Sequence, residues 1–206
     1  MGKNSQDAFT GLEAAIVLIA FVVVAAVFSY VVLGAGFFTT QKSQEVVYTS
    51  VDQASSSIEI LGDVYANSTV DAGVDSTIDG IQFVIGLTAG GSPVDLAQTT
   101  MTFATEANVT KIYNVTDISS TASDVTSAKA DIGPDEWGII DIANDDGDKG
   151  ALLENQEQFT VYVLLDDPNE VSRNKEFSLN IRPATGSSYS IVKTAPSRIK
   201  QVNLLR

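Results

Sequence analysis

The chain contains no cysteine and no histidine. Their joint absence excludes thiol nucleophiles, zinc sites of the usual Cys/His type, imidazole general bases and disulfide staples, so most common catalytic constellations cannot be built. A small disulfide-built secreted scaffold is excluded as well. Positive charge is scarce: 12 Lys and Arg stand against 26 Asp and Glu in 206 residues, a formal charge of −14. Between Asp52 and Glu170 only Lys111, Lys129 and Lys149 interrupt 22 acids. Such a surface repels nucleic-acid phosphate and anionic headgroups and favours solubility, so nucleic acid is not an expected partner. Five of the 12 bases fall between Arg182 and Arg206, which makes the C-terminal tail a basic exception suited to acidic surface on the same or a neighbouring molecule.

Charge of either sign is missing from Ala14 to Phe38, a run of 25 residues broken only by Ser29, Tyr30, Gly34 and Gly36. As a helix it covers about 37 Å, more than the roughly 30 Å hydrocarbon core of a bilayer. Cleavable secretory peptides have apolar regions of about 7–15 residues, so this longer segment is expected to stay in the mature protein. The leader MGKNSQDA offers one Lys3 against one Asp7, which specifies orientation by charge only weakly. Beyond Phe38, Val47, Val51, Ala54, Ile58 and Leu61 recur at spacings of 4, 3, 4 and 3, a stripe along one helix face, and Gly62 supplies a stop signal. The pattern predicts one helix from about Thr10 to Leu61, apolar in its first half and amphipathic in its second, softened or bent at Gly34 and Gly36. A plain membrane anchor needs only the first half. The second half implies packing against something continuous with the bilayer segment, and neighbouring helices of the same kind would serve.

Glu13 places a carboxylate at the start of this lipid-like run, where ionised residues are costly. One reading makes Thr10-Gly-Leu-Glu13 a capping box. The other comes from resemblance: the segment DA-FTGLEAAIVLIAFVVVAA is similar to the processing region of class III signal peptides in type IV pilin-like proteins. That family implies removal of a short leader by a prepilin-peptidase-like membrane protease, with a glutamate fifth in the mature chain. Cleavage between Ala8 and Phe9 puts Glu13 fifth, and the freed α-amine of Phe9 is then available to Glu13 of an adjacent subunit. Among such families the match is closest to archaeal flagellins, through GLEAAIVLIAFVVVAAVFSYVVLGAGFF followed by TTQKSQE, over about Phe9 to Gln53. Two features depart from that pattern: archaeal flagellin leaders commonly end in Lys/Arg-Gly, whereas this one ends in Asp7-Ala8, and many members lack the glutamate.

After Gly62 short apolar or alternating runs appear at 81–87, 99–105, 109–115, 137–142, 159–165, 176–181, 188–194 and 198–204, separated by Gly, Pro, Asn and Asp clusters. Eight such runs predict an antiparallel sandwich or small barrel. The resemblance implies an immunoglobulin-like outer domain. The sequons at Asn67, Asn108 and Asn114 lie outside the apolar segment. Each also reads as plain turn polarity, and the resemblance implies N-linked glycans on them. Asn144-Asp145-Asp146-Gly147-Asp148 looks like a calcium loop, but with Gly147 sixth the first and twelfth positions fall on Ile142 and Leu153, so an acidic turn is expected and no metal. Trp137 is read as core rather than a sugar platform, and Asp135 with Glu136, or Asp166 with Asp167, as solvated turns rather than a hydrolytic pair.

The expected architecture is α+β: a leader at 1–8, a core and membrane helix at 9–62, and an acidic β-sandwich domain at 63–206. The expected function is a non-enzymatic, cofactor-free structural subunit of the archaeal flagellum filament, built from copies of itself or paralogous subunits and serving swimming and attachment. The resemblance further implies the leader peptidase, a membrane assembly platform and its ATPase as partners, a precursor in the cytoplasmic membrane and a product outside the cell. An adhesive type IV-like pilin, or a membrane-tethered surface module in which the helix is only a tether, are the alternatives.

Overall fold

The structure, a computed structural model, describes residues 4–69, 76–115, 125–145, 147 and 150–205, with side chains from Gly11 onward. Its first element, α1, runs unbroken from Asn4 to Ser55, 52 residues. Gly34 and Gly36 do not interrupt it. The helix begins before the expected Thr10, so Thr10 and Glu13 lie inside it and the capping box does not mark its start. It also stops six residues before Leu61. At that end the Ser56 amide and hydroxyl both donate to the Asp52 carbonyl, at 2.9 and 2.7 Å, which closes the last turn. Within α1 several hydroxyls bond back to their own helix: Thr39 to Ala35, Thr40 to Gly36, Thr49 to Glu45 and Ser50 to Val46, all at 2.6–2.9 Å.

The chain divides into two compact units, residues 1–50 and 51–206. The second is almost entirely β. In chain order its strands are β1 (Ile58–Asn67), β2 (Gly80–Leu87), β3 (Val94–Asp95), β4 (Thr100–Thr105), β5 (Val109–Asn114), β6 (Glu136–Ala143), β7 (Leu152–Leu153), β8 (Gln158–Leu164), β9 (Glu176–Arg182), β10 (Tyr189–Thr194) and β11 (Val202–Leu205). A short helix, α2 (Val125–Ala130), precedes β6. Nine strands form one sheet in the order β10-β9-β4-β5-β6-β8-β2-β1-β11, while β3 pairs with β7. All neighbours in the large sheet are antiparallel except β5 and β6, which share a parallel link of two residue pairs, Tyr113 with Glu136 and Asn114 with Trp137.

The sheet folds back at that link, and its two parts enclose one core. Strict alternation supplies it: Ile81, Phe83 and Ile85 of β2 stand opposite Val163, Val161 and Phe159 of β8, all six at most 1% exposed. From the other part come Met101 and Phe103 of β4 and Phe177, Leu179 and Ile181 of β9. The Phe103 and Phe177 rings lie 5.6 Å apart, within the range of a favourable aromatic pair. One apolar cluster drawn from both parts makes the domain sandwich-like, as the alternating runs predicted. Trp137 belongs to this core at 0% exposure, which rules out a sugar platform.

A second cluster lies on the outer face, where Ala128 of α2 and Ile132 pack on Ile140 and Tyr162. Lys129 spans the edge of this cover, its ammonium 4.6 Å from the Tyr162 ring centroid and 2.8 Å from Gln82 Oε1. Burial lowers the pKa of this lysine and raises that of the tyrosine. Gly62 does not end a helix. It sits at φ +79° beside an irregularity in the β1–β2 register between Leu61 and Tyr65. At Gly186, φ +99°, a Cβ would overlap the Ser56 carbonyl oxygen, so glycine alone permits this loop to reach the start of β1.

Candidate assembly surface

The largest chemical anomaly of the chain is α1 itself. From Gly11 to Ser55 it has an 18-residue window of mean hydropathy 3.0, with none of that window buried within the chain. Phe21, Phe28, Tyr30, Phe37 and Phe38 are 61–80% exposed, and together with the exposed Leu18 and Val22 they lie around the whole circumference rather than along one stripe. A helix apolar on all sides is stable only when covered on all sides. At about 25 cal/mol per Å² of apolar area, a surface this large is not left in water. Lipid or other helices must cover it.

Polarity changes toward the end of the helix, where Lys42 pairs with Glu45 at 2.7 Å, yet Val46, Val47, Tyr48 and Val51 are still 54–70% exposed. Only part of the predicted stripe is helical. Val47, Val51 and Ala54 lie on α1, whereas Ile58 and Leu61 belong to β1, and Ile58 is buried in the core of the β domain. The 3.5-residue spacing continued by coincidence across the junction.

Glu13 is exposed on α1. Ala8 and Phe9 fall within the same helix, but their side chains lie outside the described residues. Two of the sequon asparagines belong to one strand, Asn108 just before β5 and Asn114 at its end, while Asn67 ends β1, four places away in the sheet order. Asn114 is exposed, and among the described residues its amide nitrogen donates once, to the Ala97 carbonyl at 3.1 Å. Asn108 is half-buried and gives both amide hydrogens away, to Thr110 Oγ1 at 3.0 Å and Asn169 Oδ1 at 2.8 Å. Asn67 shares a hydrogen bond with Tyr162, and its sequon hydroxyl, on Thr69, donates to Asp79.

The remaining candidates resolve into structural roles. Asp135 accepts from the buried Asn169 amide with both oxygens at 2.9 Å, and Glu136 accepts from the Gly133 amide at 3.0 Å. Asp166 and Asp167 are exposed. None of these four lines the open cavity of about 540 Å³ that lies between Glu106, Pro168, Glu170, Lys175 and Glu176. In that cavity Glu106 is held by Lys175 at 2.9 Å and Glu170 accepts from Thr77 at 2.6 Å. Asp145 Oδ1 accepts from the Gly147 amide, an ordinary acidic turn, while Asp146 and Asp148 lie outside the described residues. Among the described residues no group of three or more metal-ligating side chains comes together. The basic tail divides between the two ends of the sheet order, with Arg182 and Lys193 on β9 and β10 and with Arg198 and Lys200 just before β11, and none of the four makes an ion pair among the described residues. Its charge was visible in the sequence, this division was not.

Comparison with known proteins agrees with this geometry. The profile for archaeal-type flagellin matches residues 8–193. Probable flagellin 1 of Archaeoglobus fulgidus is 39% identical over 205 residues, covering 98% of this chain and 96% of its own. Among solved structures, the archaeal flagellum of Methanospirillum hungatei strain JF1 superposes with a TM-score of 0.67 at 31% identity, covering 95% of this chain and 99% of that one. An archaeal flagellin of Methanocaldococcus jannaschii shares the fold, with a TM-score of 0.57 at 19% identity over 72% of this chain and 95% of that one. A long helix without intrachain cover, joined to a sandwich-like domain without an assembled catalytic or metal centre among the described residues, and matched along nearly its whole length, belongs to the archaeal-type flagellin family and is a structural subunit of a surface filament for motility.

Proposed function

We propose that this flagellin is made with a leader of residues 1–8, which a prepilin-peptidase-like membrane protease removes between Ala8 and Phe9. The shortened chain then passes from the cytoplasmic membrane into a filament of copies of itself or paralogous subunits, driven by a membrane assembly platform and its ATPase, and carries out no chemistry of its own. The observation that supports this reading is the uncovered apolar helix from Gly11 to Ser55. Moving it from lipid into a bundle of like helices exchanges one apolar environment for another, so packing and electrostatic pairing need only tip the balance. Contacts must be head-to-tail and non-closing to make a filament.

Processing also changes the meaning of Glu13. In the full chain it lies in the helix interior, but after cleavage it is fifth from the new end, about one turn in, close enough for a carboxylate to complement the helix dipole. The new α-amine on Phe9, with an ordinary pKa of about 7.7–8.0, is largely cationic at neutral pH and pairs with Glu13 of the neighbour during docking. Filaments sheared from cells are expected to contain a chain that begins at Phe9, read by intact-mass and terminal-peptide mass spectrometry. Glu13→Ala is expected to remove filaments from electron micrographs while the processed subunit persists in the membrane. Normal filaments from that variant would end the assembly role of Glu13, and a membrane-bound chain with its leader attached would end the subunit reading.

N-linked glycans are the further partner, and the three sequons differ in what folding leaves free. Attachment replaces one amide hydrogen. At Asn108 this breaks one of two bonds in a half-buried network, at Asn67 the sequon hydroxyl is already engaged, and at Asn114 the amide is exposed with a single acceptor. Glycopeptide mass spectrometry of filaments should find Asn114 the most occupied and Asn108 the least. Full occupancy of Asn108 with Asn114 bare would mean that modification precedes folding.

A further inference from the structure

Among the described residues, the outer face of the β1–β11 part of the sheet is covered at one end only. Leu204, Tyr65, Gln82 and Tyr162 are direct register partners across β11, β1, β2 and β8, so they form one row on one face. At the Tyr162 end the row is sealed by α2 and Ile132, and the Lys129 contact to Gln82 marks where this cover stops. Past Gln82 the row is open. Tyr65 is 40% exposed, Leu204 43% and the neighbouring Val202 62%. β11 is also the last strand of the sheet, so one side of its backbone has no ladder partner within the sheet.

The rim of this face is basic. Arg198 and Lys200 precede β11, are exposed and make no ion pair among the described residues. Lys200 is held in place by a clamp: its amide donates to Asn203 Oδ1 at 2.8 Å, and its carbonyl accepts from Asn203 Nδ2 at 2.6 Å. Asn203 itself is buried and also donates to the Ala66 carbonyl. An apolar centre with a cationic rim therefore sits at a fixed position on a domain whose residues 52–170 carry 22 acids and three bases. The surface that best complements it in charge is the acidic remainder of the same domain in another molecule. A contact between two different patches of identical chains is heterologous and can repeat without closing, as a filament requires.

We propose that the β1–β11 face, Tyr65, Val202 and Leu204 rimmed by Arg198 and Lys200, docks onto the acidic outer domain of a second copy of this chain. The inference rests on the filament-subunit reading and adds to the helical core a second contact, between outer domains, with electrostatic attraction setting its register. Salt weakens this contact and leaves the apolar core untouched.

Zero-length cross-linking of intact filaments with a carbodiimide, which joins an amine to a carboxylate in contact with it, tests the face directly. The covalent dimer is expected to contain Lys200 joined to an Asp or Glu of another copy, with the yield falling at high salt and the Lys200 cross-link lost in Lys200→Gln. Lys200 cross-links found only within single chains, or none at all, would overturn the proposal. Val202→Asp provides the second reading, since the side chain points to solvent and the isolated subunit is expected to unfold at an unchanged temperature. Its filaments should dissociate at a lower temperature than the wild type, and an unchanged dissociation temperature overturns the docking face while leaving the filament reading intact. A wild-type chain that forms no filament would overturn both.

Discussion

Val24→Asp is expected to abolish filaments while leaving the β domain folded. Val24 lies near the centre of the uncharged run, 66% exposed on the isolated chain, and no Lys or Arg occurs between Ala14 and Gln41 to pair with a new carboxylate. An acidic residue at such a depth costs about 2.5–3.5 kcal/mol by insertion scales. That is roughly a hundredfold in equilibrium, imposed on every subunit. The surrounding hydropathy is high enough for the segment still to enter the membrane, so the defect falls on assembly. The β domain is a separate compact unit and should keep its thermal unfolding transition. Val24→Ile, equally apolar, should assemble as the parent does. Micrographs of sheared material and membrane-fraction immunoblots separate the two steps, and normal filaments from Val24→Asp would contradict a helical core closed to water.

The second large effect belongs to the sandwich. Phe83→Ala removes a ring at 0% exposure that faces Val161 across the β2–β8 ladder. Substitutions of this type leave a cavity and cost about 3–5 kcal/mol. Domains are stable by only about 5–15 kcal/mol, so a large part of the margin disappears. For a domain of this size the unfolding temperature should fall by on the order of 10 °C. Tyr113→Ala, at a ring 57% exposed on β5, should change stability by about 0.5 kcal/mol or less. Near-UV circular dichroism of the detergent-solubilised chain reads both. A shift of Phe83→Ala no larger than that of Tyr113→Ala would remove Phe83 from the packed interior.

The parts of the fold that were readable in the sequence are those where one period dominates. The uncharged run from Ala14 gave α1, and alternation gave β2, β8 and β9 with Phe83, Phe159 and Phe177 facing inward, because inward and outward positions differ in polarity along those strands. β1 was hidden. Ile58 and Leu61 prolong the helical stripe, and what makes them a strand is distant: Ile58 faces Leu87 of β2, and Val64 faces Leu205 of β11. Local pattern does not contain those partners. α2, β3 and β7 are too short to show a period at all, and β11 began later than expected because Arg198–Gln201 form the turn fixed by Asn203 rather than the strand. Of the candidate assembly surface, the apolar helix was plain from residue types alone. Leu204, Tyr65 and Gln82 lie 204, 65 and 82 residues along the chain, and only the register aligns them.

The back-bonded hydroxyls of α1 bear on how a filament bends. Thr39, Thr40, Thr49 and Ser50 are polar groups a neighbouring helix could otherwise grip, yet each already donates to a carbonyl one turn earlier in its own chain. Their protons are therefore not committed to a neighbour, and a small slide of one helix past another breaks no bond donated by these four hydroxyls. Around them the resistance to sliding falls on side-chain packing, so strands of subunits on the inside and outside of a curve can differ slightly in length. A rod assembled from these helices can thus take up curvature and return it with each revolution, without unmaking a bond that these hydroxyls donate.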